Sequence, residues 1–260
     1  MKRKVVTSIL CFCFALSSFA QSKSAFKAGE WLKFRLHYGL FNASYATLQV
    51  NETTFEGAPV YHVVGKGRTT GLARLFFKVD DVYESYFTKT ENKPLRFIRE
   101  IDEGGYTKDV EINFNHTARK AILHDKKNNT KTPFEIQKDI QDLISAFYFI
   151  RNNFEVTDLT VGEAITLNML FDDDGTFPFR LKFLGNEIIK TKYGKVSCLK
   201  FRPYMLLGRV FTESESITLW VSNDLNKIPI RIKADIAVGS IKADLDGYNG
   251  LKNQFKIIMD

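Results

Sequence analysis

The groupings in this chain that could do chemistry are few. Gly65-Lys66-Gly67-Arg68-Thr69-Thr70-Gly71 has the glycines of a phosphate-cradling loop. Its spacing misses the dinucleotide fingerprint by one residue, and no Lys-Ser or Lys-Thr follows the last glycine. A twisted strand end accounts for these glycines within an alternating, β-type surrounding. Asp172-Asp173-Asp174-Gly175 offers carboxylate oxygens to a hard cation. With Gly175 at the sixth position of a calcium loop, however, Leu170 and Leu181 fall where acids are required, so the run reads as a solvated hairpin turn. His37, His62, His116 and His124 sit in separate segments with no metal-ligand spacing between them. There is no Gly-x-Ser-x-Gly elbow, and Ser240 continues into an ordinary strand pattern. The expectation is a non-enzymatic protein with no catalytic residue, no cofactor and no metal.

The N-terminus carries an address rather than a fold. Lys2, Arg3 and Lys4 precede an apolar stretch from Val5 to Leu16, and Ser18 and Ala20 supply small residues ahead of Gln21. This is the pattern of a cleaved secretory signal over residues 1–20, which implies a periplasmic protein, soluble once processed. Cleavage would remove Cys11 and Cys13, leaving Cys198 unable to form an internal disulfide. No His lies near Cys198 in sequence, so it reads as a small buried apolar residue. Loss of the three leading cations lowers the formal charge from +7 to +4. The remaining charges are interleaved, without the basic, aromatic-studded face that nucleic acid would require.

Residues with so little overt chemistry must be read through the elements that position them. Alternation of period two dominates: Leu32, Phe34, Leu36 and Tyr38 share a face, with Lys33, Arg35 and His37 opposite. Further strands are predicted at Ala46–Val50, Val60–Val64, Val79–Phe87, Leu95–Ile101, Val110–Phe114 and Ala121–Leu123. Others follow at Ile165–Phe171, Phe177–Leu184, Ile188–Tyr193, Val196–Phe201, Ile217–Val221, Ile230–Ile236 and Ser240–Leu245. One segment departs from this: Ile140, Leu143, Ile144, Phe147 and Ile150 recur at helical spacing within 139–152, with Asp139 placed to cap. A short helical turn is also expected over Gly71–Phe77. The predicted fold is mainly β: one large curved antiparallel sheet, an incomplete barrel or sandwich, wrapping one helix. It forms a single domain over 21–260, with strand-rich halves at about 26–136 and 155–260.

The aromatic load, 13% of residues with 23 Phe, is the most unusual feature. Core filling is the first reading of so many rings. The alternative is a half-closed sheet whose rings face a cavity for an apolar ligand. Phe34, Tyr38, Tyr45, Tyr83 and Phe147 are the candidate lining residues.

Several stretches in order carry a family resemblance. They are Gly29-Glu30-Trp31-Leu32-Lys33-Phe34, Val79 to Tyr86, Leu143 to Arg151, Leu219 to Asp224, Ile228-Pro229-Ile230-Arg231 and Val238-Gly239-Ser240-Ile241. Their order and spacing resemble the DUF3108 family of bacterial exported proteins, which implies export and a β-rich fold and transfers no active site. In the second stretch Asp81, Tyr83 and Ser85 share a strand face, and an inward acid needs a partner. The candidate is a buried ion pair of Asp81 with Arg151 or Arg231. The function expected is the binding or carrying of a lipid or other apolar envelope molecule. The alternatives are a non-catalytic module docking on an envelope protein, and a hydrolase whose residues meet only in three dimensions.

Overall fold

The computed structural model of the chain describes residues 24–155, 159–205 and 217–258; the expected signal over 1–20 lies outside them. Eight strands come first: β1 (Trp31–Tyr38), β2 (Phe41–Phe55), β3 (Ala58–Thr69), β4 (Asp80–Thr88), β5 (Pro94–Glu103), β6 (Tyr106–Asn115), β7 (Lys120–Asp125) and β8 (Thr130–Glu135). A short helix α1 (Gly71–Phe76) separates β3 from β4. Helix α2 (Leu143–Asn153) follows β8. Then come β9 (Ala164–Met169), β10 (Phe177–Thr191), β11 (Gly194–Met205), β12 (Ile217–Ser222), β13 (Pro229–Asp235) and β14 (Ser240–Asn249).

Among the described residues these strands form one antiparallel sheet in the order β8-β7-β6-β5-β4-β3-β2-β1-β14-β13-β12-β11-β10-β9. It is two meanders joined where β1 pairs with β14, from Trp31 opposite Asn249 to Tyr38 opposite Ile241. The sheet curls without closing, so β8 and β9 remain edges. The segment ahead of α2 lies along the β9 edge: the Gln141 N–H donates to the Asn168 carbonyl at 2.8 Å, and the Leu170 N–H donates to the Gln141 carbonyl at 2.9 Å. The concave side is filled by α2, as expected for a curved sheet wrapping a helix.

Local differences from the sequence reading have local causes. The helix begins at Leu143 because Asp142, not Asp139, is its cap. The Asp142 carboxylate accepts the N–H groups of Ile144 at 2.8 Å and Ser145 at 2.7 Å, and the Ser145 hydroxyl accepts the Asp142 N–H at 2.9 Å. Asp139 instead accepts a hydrogen bond from the Asn168 amide. The strands expected at Phe177–Leu184 and Ile188–Tyr193 are one continuous β10, bent by a bulge at Gly185, whose φ of 110° suits glycine. Strand β8, Thr-Lys-Thr-Pro-Phe-Glu, shows no alternation and carries Pro133, as an edge strand can.

Candidate functional site

The core is densely packed toward one end of the curled sheet. There Phe26, fully buried, meets Tyr148 of α2 at 4.5 Å between ring centroids and Tyr61 at 5.1 Å, while Phe87 lies 5.7 Å from Tyr148. Toward the other end lies a cavity of about 580 Å³ with an almost wholly apolar surface. Its walls are Phe34, Leu36, Ala46 and Leu48 on one side, Leu181, Leu199, Phe201 and Leu219 on the other, and Ala146, Phe147 and Ile150 of α2 between them. The volume is within the ~300–1,000 Å³ typical of small-molecule sites. Leu143 (41% exposed) and Ile232 (39% exposed) also line it and mark its open side.

Two glycines make this space. Gly65 and Gly67 stand two apart on β3 and face inward; a Cβ on Gly65 would lie 3.2 Å from Leu48 Cδ2, and one on Gly67 would touch only Asp81, at 3.9 Å. The sequence reading placed them at a strand end, but they lie within β3. Two missing side chains on one strand face were the signal of an open volume there.

Three of the five predicted lining residues are on the cavity wall: Phe34, Tyr83 and Phe147. Tyr38 and Tyr45 are not. The register shift after Leu36 and the approaching turn take Tyr38 to the rim, where its hydroxyl donates to the Val238 carbonyl at 2.9 Å. Alternation along β2 turns Ala46 and Leu48 inward, so Tyr45 faces outward, with Lys33 Nζ 4.2 Å from its ring centroid.

The expected ion pair is rearranged as well. Arg151 pairs with Glu30 through two bonds, 2.6 Å from Nη1 to Oε1 and 2.8 Å from Nη2 to Oε2, both groups being buried. It also donates to the carbonyls of Asn226 and Ala25. Arg231 holds Asp244, Nε to Oδ1 at 2.5 Å. The inward acid in β4 has another solution: Asp81 lies beside Glu103 and accepts the Asp102 N–H. Burial, and then the neighbouring Glu103, push the Asp81 carboxyl up to about 6, with the Asp102 N–H and, more weakly, Arg99 acting against them. Asp81 is therefore a polar group on the cavity wall that sheds its charge under mild acid.

The remaining sequence candidates are engaged in ion pairs and hydrogen bonds. Asp172 receives Arg99 and Lys108 in ion pairs, and Lys108 also reaches Asp173 at 2.9 Å, so the acidic turn fastens β5 and β6 to the β9–β10 turn. His37 bonds Asp244 at 2.9 Å and His62 bonds Glu84 at 2.7 Å. Among the described residues no cluster of potential ligands is arranged to hold a metal ion. Cys198 is buried, and desolvation pushes its thiol up to about 12.

The curled, unclosed sheet with an apolar hollow under its helix defines a β-barrel-like, cavity-bearing protein. The model of a family described as a protein of unknown function (DUF3108) matches residues 33–246, and the chain belongs to that family. A comparison with curated proteins found no match. Among solved structures, a β-barrel-like protein of the domain of unknown function DUF1849 from Brucella abortus is similar in fold. Its TM-score is 0.55 at 7% identity, over 87% of this chain and 100% of that one. A DUF1089 family protein from Pseudomonas aeruginosa gives 0.39 at 11% identity, over 75% and 92%. A candidate exported protein with a YmcC-like fold from Bacteroides fragilis gives 0.32 at 10% identity, over 86% and 96%.

Proposed function

We propose that this protein is an exported, periplasmic, non-catalytic carrier that holds one apolar envelope molecule, a lipid acyl chain or a group of similar size, under α2. The observation that carries the reading is the cavity itself: about 580 Å³, apolar on nearly all its surface, and open on one side. An apolar void of that size forfeits the contacts its lining would make in a filled core, and a bound apolar molecule restores them. Gly65, Gly67 and Ala146 supply the room, where larger side chains would have filled it. The basic and apolar pattern of residues 1–20 supports the assignment to the periplasm.

Native mass spectrometry of protein purified from its own envelope tests this, paired with a Gly67→Leu variant. Gly67 has no left-handed backbone and open space ahead of its Cβ, so the variant folds while its side chain occupies the cavity. The expected result is a lipid-mass adduct on the native protein that Gly67→Leu loses. A native protein that carries no adduct and takes up no apolar fluorophore such as N-phenyl-1-naphthylamine would end the carrier reading.

A further inference from the structure

The two ends of the curled sheet differ in their turns. At the end opposite the cavity the turns are polar, as in Glu56-Gly57, Glu91-Asn92-Lys93 and Asn115 to Arg119, with Leu225, and Val161 ahead of β9, as exposed exceptions among the described residues. At the cavity end, beside polar turns at 126–129 and 172–175, three neighbouring turns carry large apolar side chains into solvent. The β1–β2 turn presents Leu40 (98% exposed) and Phe41; α1 presents Leu72, Leu75 and Phe76 (87% exposed); the β13–β14 turn presents Val238. The register brings these together: β1 lies between β2 and β14, the Thr70 N–H after β3 donates to Ala43 of β2, and Tyr38 reaches Val238. Turns ordinarily hold Gly, Asn, Asp and Ser, so Leu-Phe and Ala-Val at turn tips ask for an apolar environment.

Helix α1 sharpens the point. Leu72, Leu75 and Phe76 are spaced i, i+3 and i+4, which is one helix face, yet no residue of α1 is buried. Its apolar stripe faces away from the protein. Arg74 fixes the helix by gripping Asp80 with two bonds, of 2.9 and 2.5 Å.

On the strands that flank these tips, β1, β2, β3, β13 and β14, every carboxylate is in an ion pair, and the unmatched acids near this end among the described residues, Asp81, Glu100 and Glu103, lie on β4 and β5. The carboxylates of Asp80, Asp102 and Asp235 are matched by Arg74, Lys78 and Lys233 respectively. Among the described residues Lys66 and Lys242, on the strands leading to this end, have no carboxylate partner, and Arg35 binds only the Asn42 amide. Apolar tips backed by unmatched cations are the complement of an anionic bilayer, which takes apolar groups at its acyl boundary and cations at its phosphates. The tips stand on separate turns around the side of the sheet where Leu36, Gly67, Asp81, Ile232 and Ala243 bring the cavity lining to the strand ends.

We propose that this rim docks on an anionic phospholipid bilayer surface, with Leu40, Phe41, Phe76 and Val238 entering the acyl boundary and Lys66 and Lys242 meeting phosphates. The docking rests on the carrier reading only for its purpose, delivery of the cavity mouth to the apolar phase.

Co-sedimentation with vesicles of phosphatidylglycerol and phosphatidylcholine tests it. Wild type and the triple variant Leu40→Ser, Phe76→Ser, Val238→Ser are compared in the same exported form, so that any N-terminal contribution is shared. The sites are solvent-exposed, and circular dichroism should be unchanged. The expected result is that wild type sediments with the vesicles and the triple variant binds about tenfold more weakly or worse. Lys66→Glu with Lys242→Glu should lose binding to mixed vesicles more than to pure phosphatidylcholine. Wild type left in the supernatant overturns the proposal. So does a triple variant that sediments like wild type, or one whose only change is lost self-association or lost capture of another protein. Fluorophore uptake read on vesicle-free protein separates the two ideas: vesicle binding without uptake removes the carrier and keeps the docking, and the converse removes the docking alone.

Discussion

Asp81 changes charge in a range where most aspartates are already ionised. Its carboxyl is raised to about 6 by burial against the cavity and by the acid of Glu103. The folded state therefore holds a proton that the unfolded chain, with an ordinary Asp near 4, releases. Stability contributed by that proton is complete below about pH 4 and is lost as pH rises through about 6. Asp81→Asn keeps the shape and removes the charge. The expected outcome in urea unfolding is a gain of about 1–2 kcal/mol at pH 7, discounted for screening at the open side, and a flatter pH profile between 4 and 6. Asp142, likewise raised to about 6 by complete burial, supplies a residual slope of the same sign. An Asp81→Asn profile that superimposes on wild type would show that Asp81 titrates normally. The sequence showed that an inward acid in β4 needs a partner, yet the partner it found is a second acid. Its neighbour Glu103 lies 22 positions along, across a β4–β5 pairing that no residue pattern announces.

At the scale of elements, α2 is held from both ends by groups of opposite kind. Asp142 and the Ser85 hydroxyl, 2.6 Å apart, secure the first turn. At the last turn Lys227 Nζ donates to the carbonyls of Arg151 at 3.1 Å and Phe154 at 2.8 Å, where a cation suits the helix dipole. Arg151 itself anchors the turn to Glu30 in the segment ahead of β1. Arg151→Ala leaves a buried carboxylate without its cation and should cost about 3–5 kcal/mol in urea unfolding, whereas Arg151→Met with Glu30→Gln should restore most of that loss. Equal destabilisation in the single and double variants would mean that packing of the arginine stem, not charge compensation, sets the cost. The existence of α2 was legible in its spacing, because Ile144, Phe147 and Ile150 repeat as a helix must. Its start was not, since Asp139 and Asp142 are equally good caps on paper and only the pairing of Gln141 with the β9 edge decides between them. In the strands, alternation identified most elements. It failed at polar β8, which has no buried face to write a pattern, and at Gly185, where a bulge resembles a turn.

At the scale of the whole molecule, the sheet is continuous at one seam and open at the other, and these two boundaries have different physics. Across β1 and β14 the halves share a full ladder of backbone hydrogen bonds. Across the gap between β8 and β9 they are joined by the 136–142 crossing and by the grip of Arg99 and Lys108 on Asp172. Those three side chains are mostly buried, so their attraction is only weakly screened, and removing the carboxylate leaves Arg99 without its acid and Lys108 with Asp173 alone. The gap is held by fewer backbone hydrogen bonds than the ladder and should be the first boundary to open. Asp172→Ala should destabilise the fold by about 1–3 kcal/mol. Hydrogen exchange should quicken at the β9 amides from Ala164 to Met169 and at Gln141, while Leu32 to Leu36 keep their protection. An apolar molecule in the cavity touches both halves and should slow exchange at β9 again, because whatever binds only the closed form stabilises it. Uniform loss of protection over both boundaries would mean that the sheet opens as one unit, and the clasp would then be a surface contact with no part in admitting a ligand.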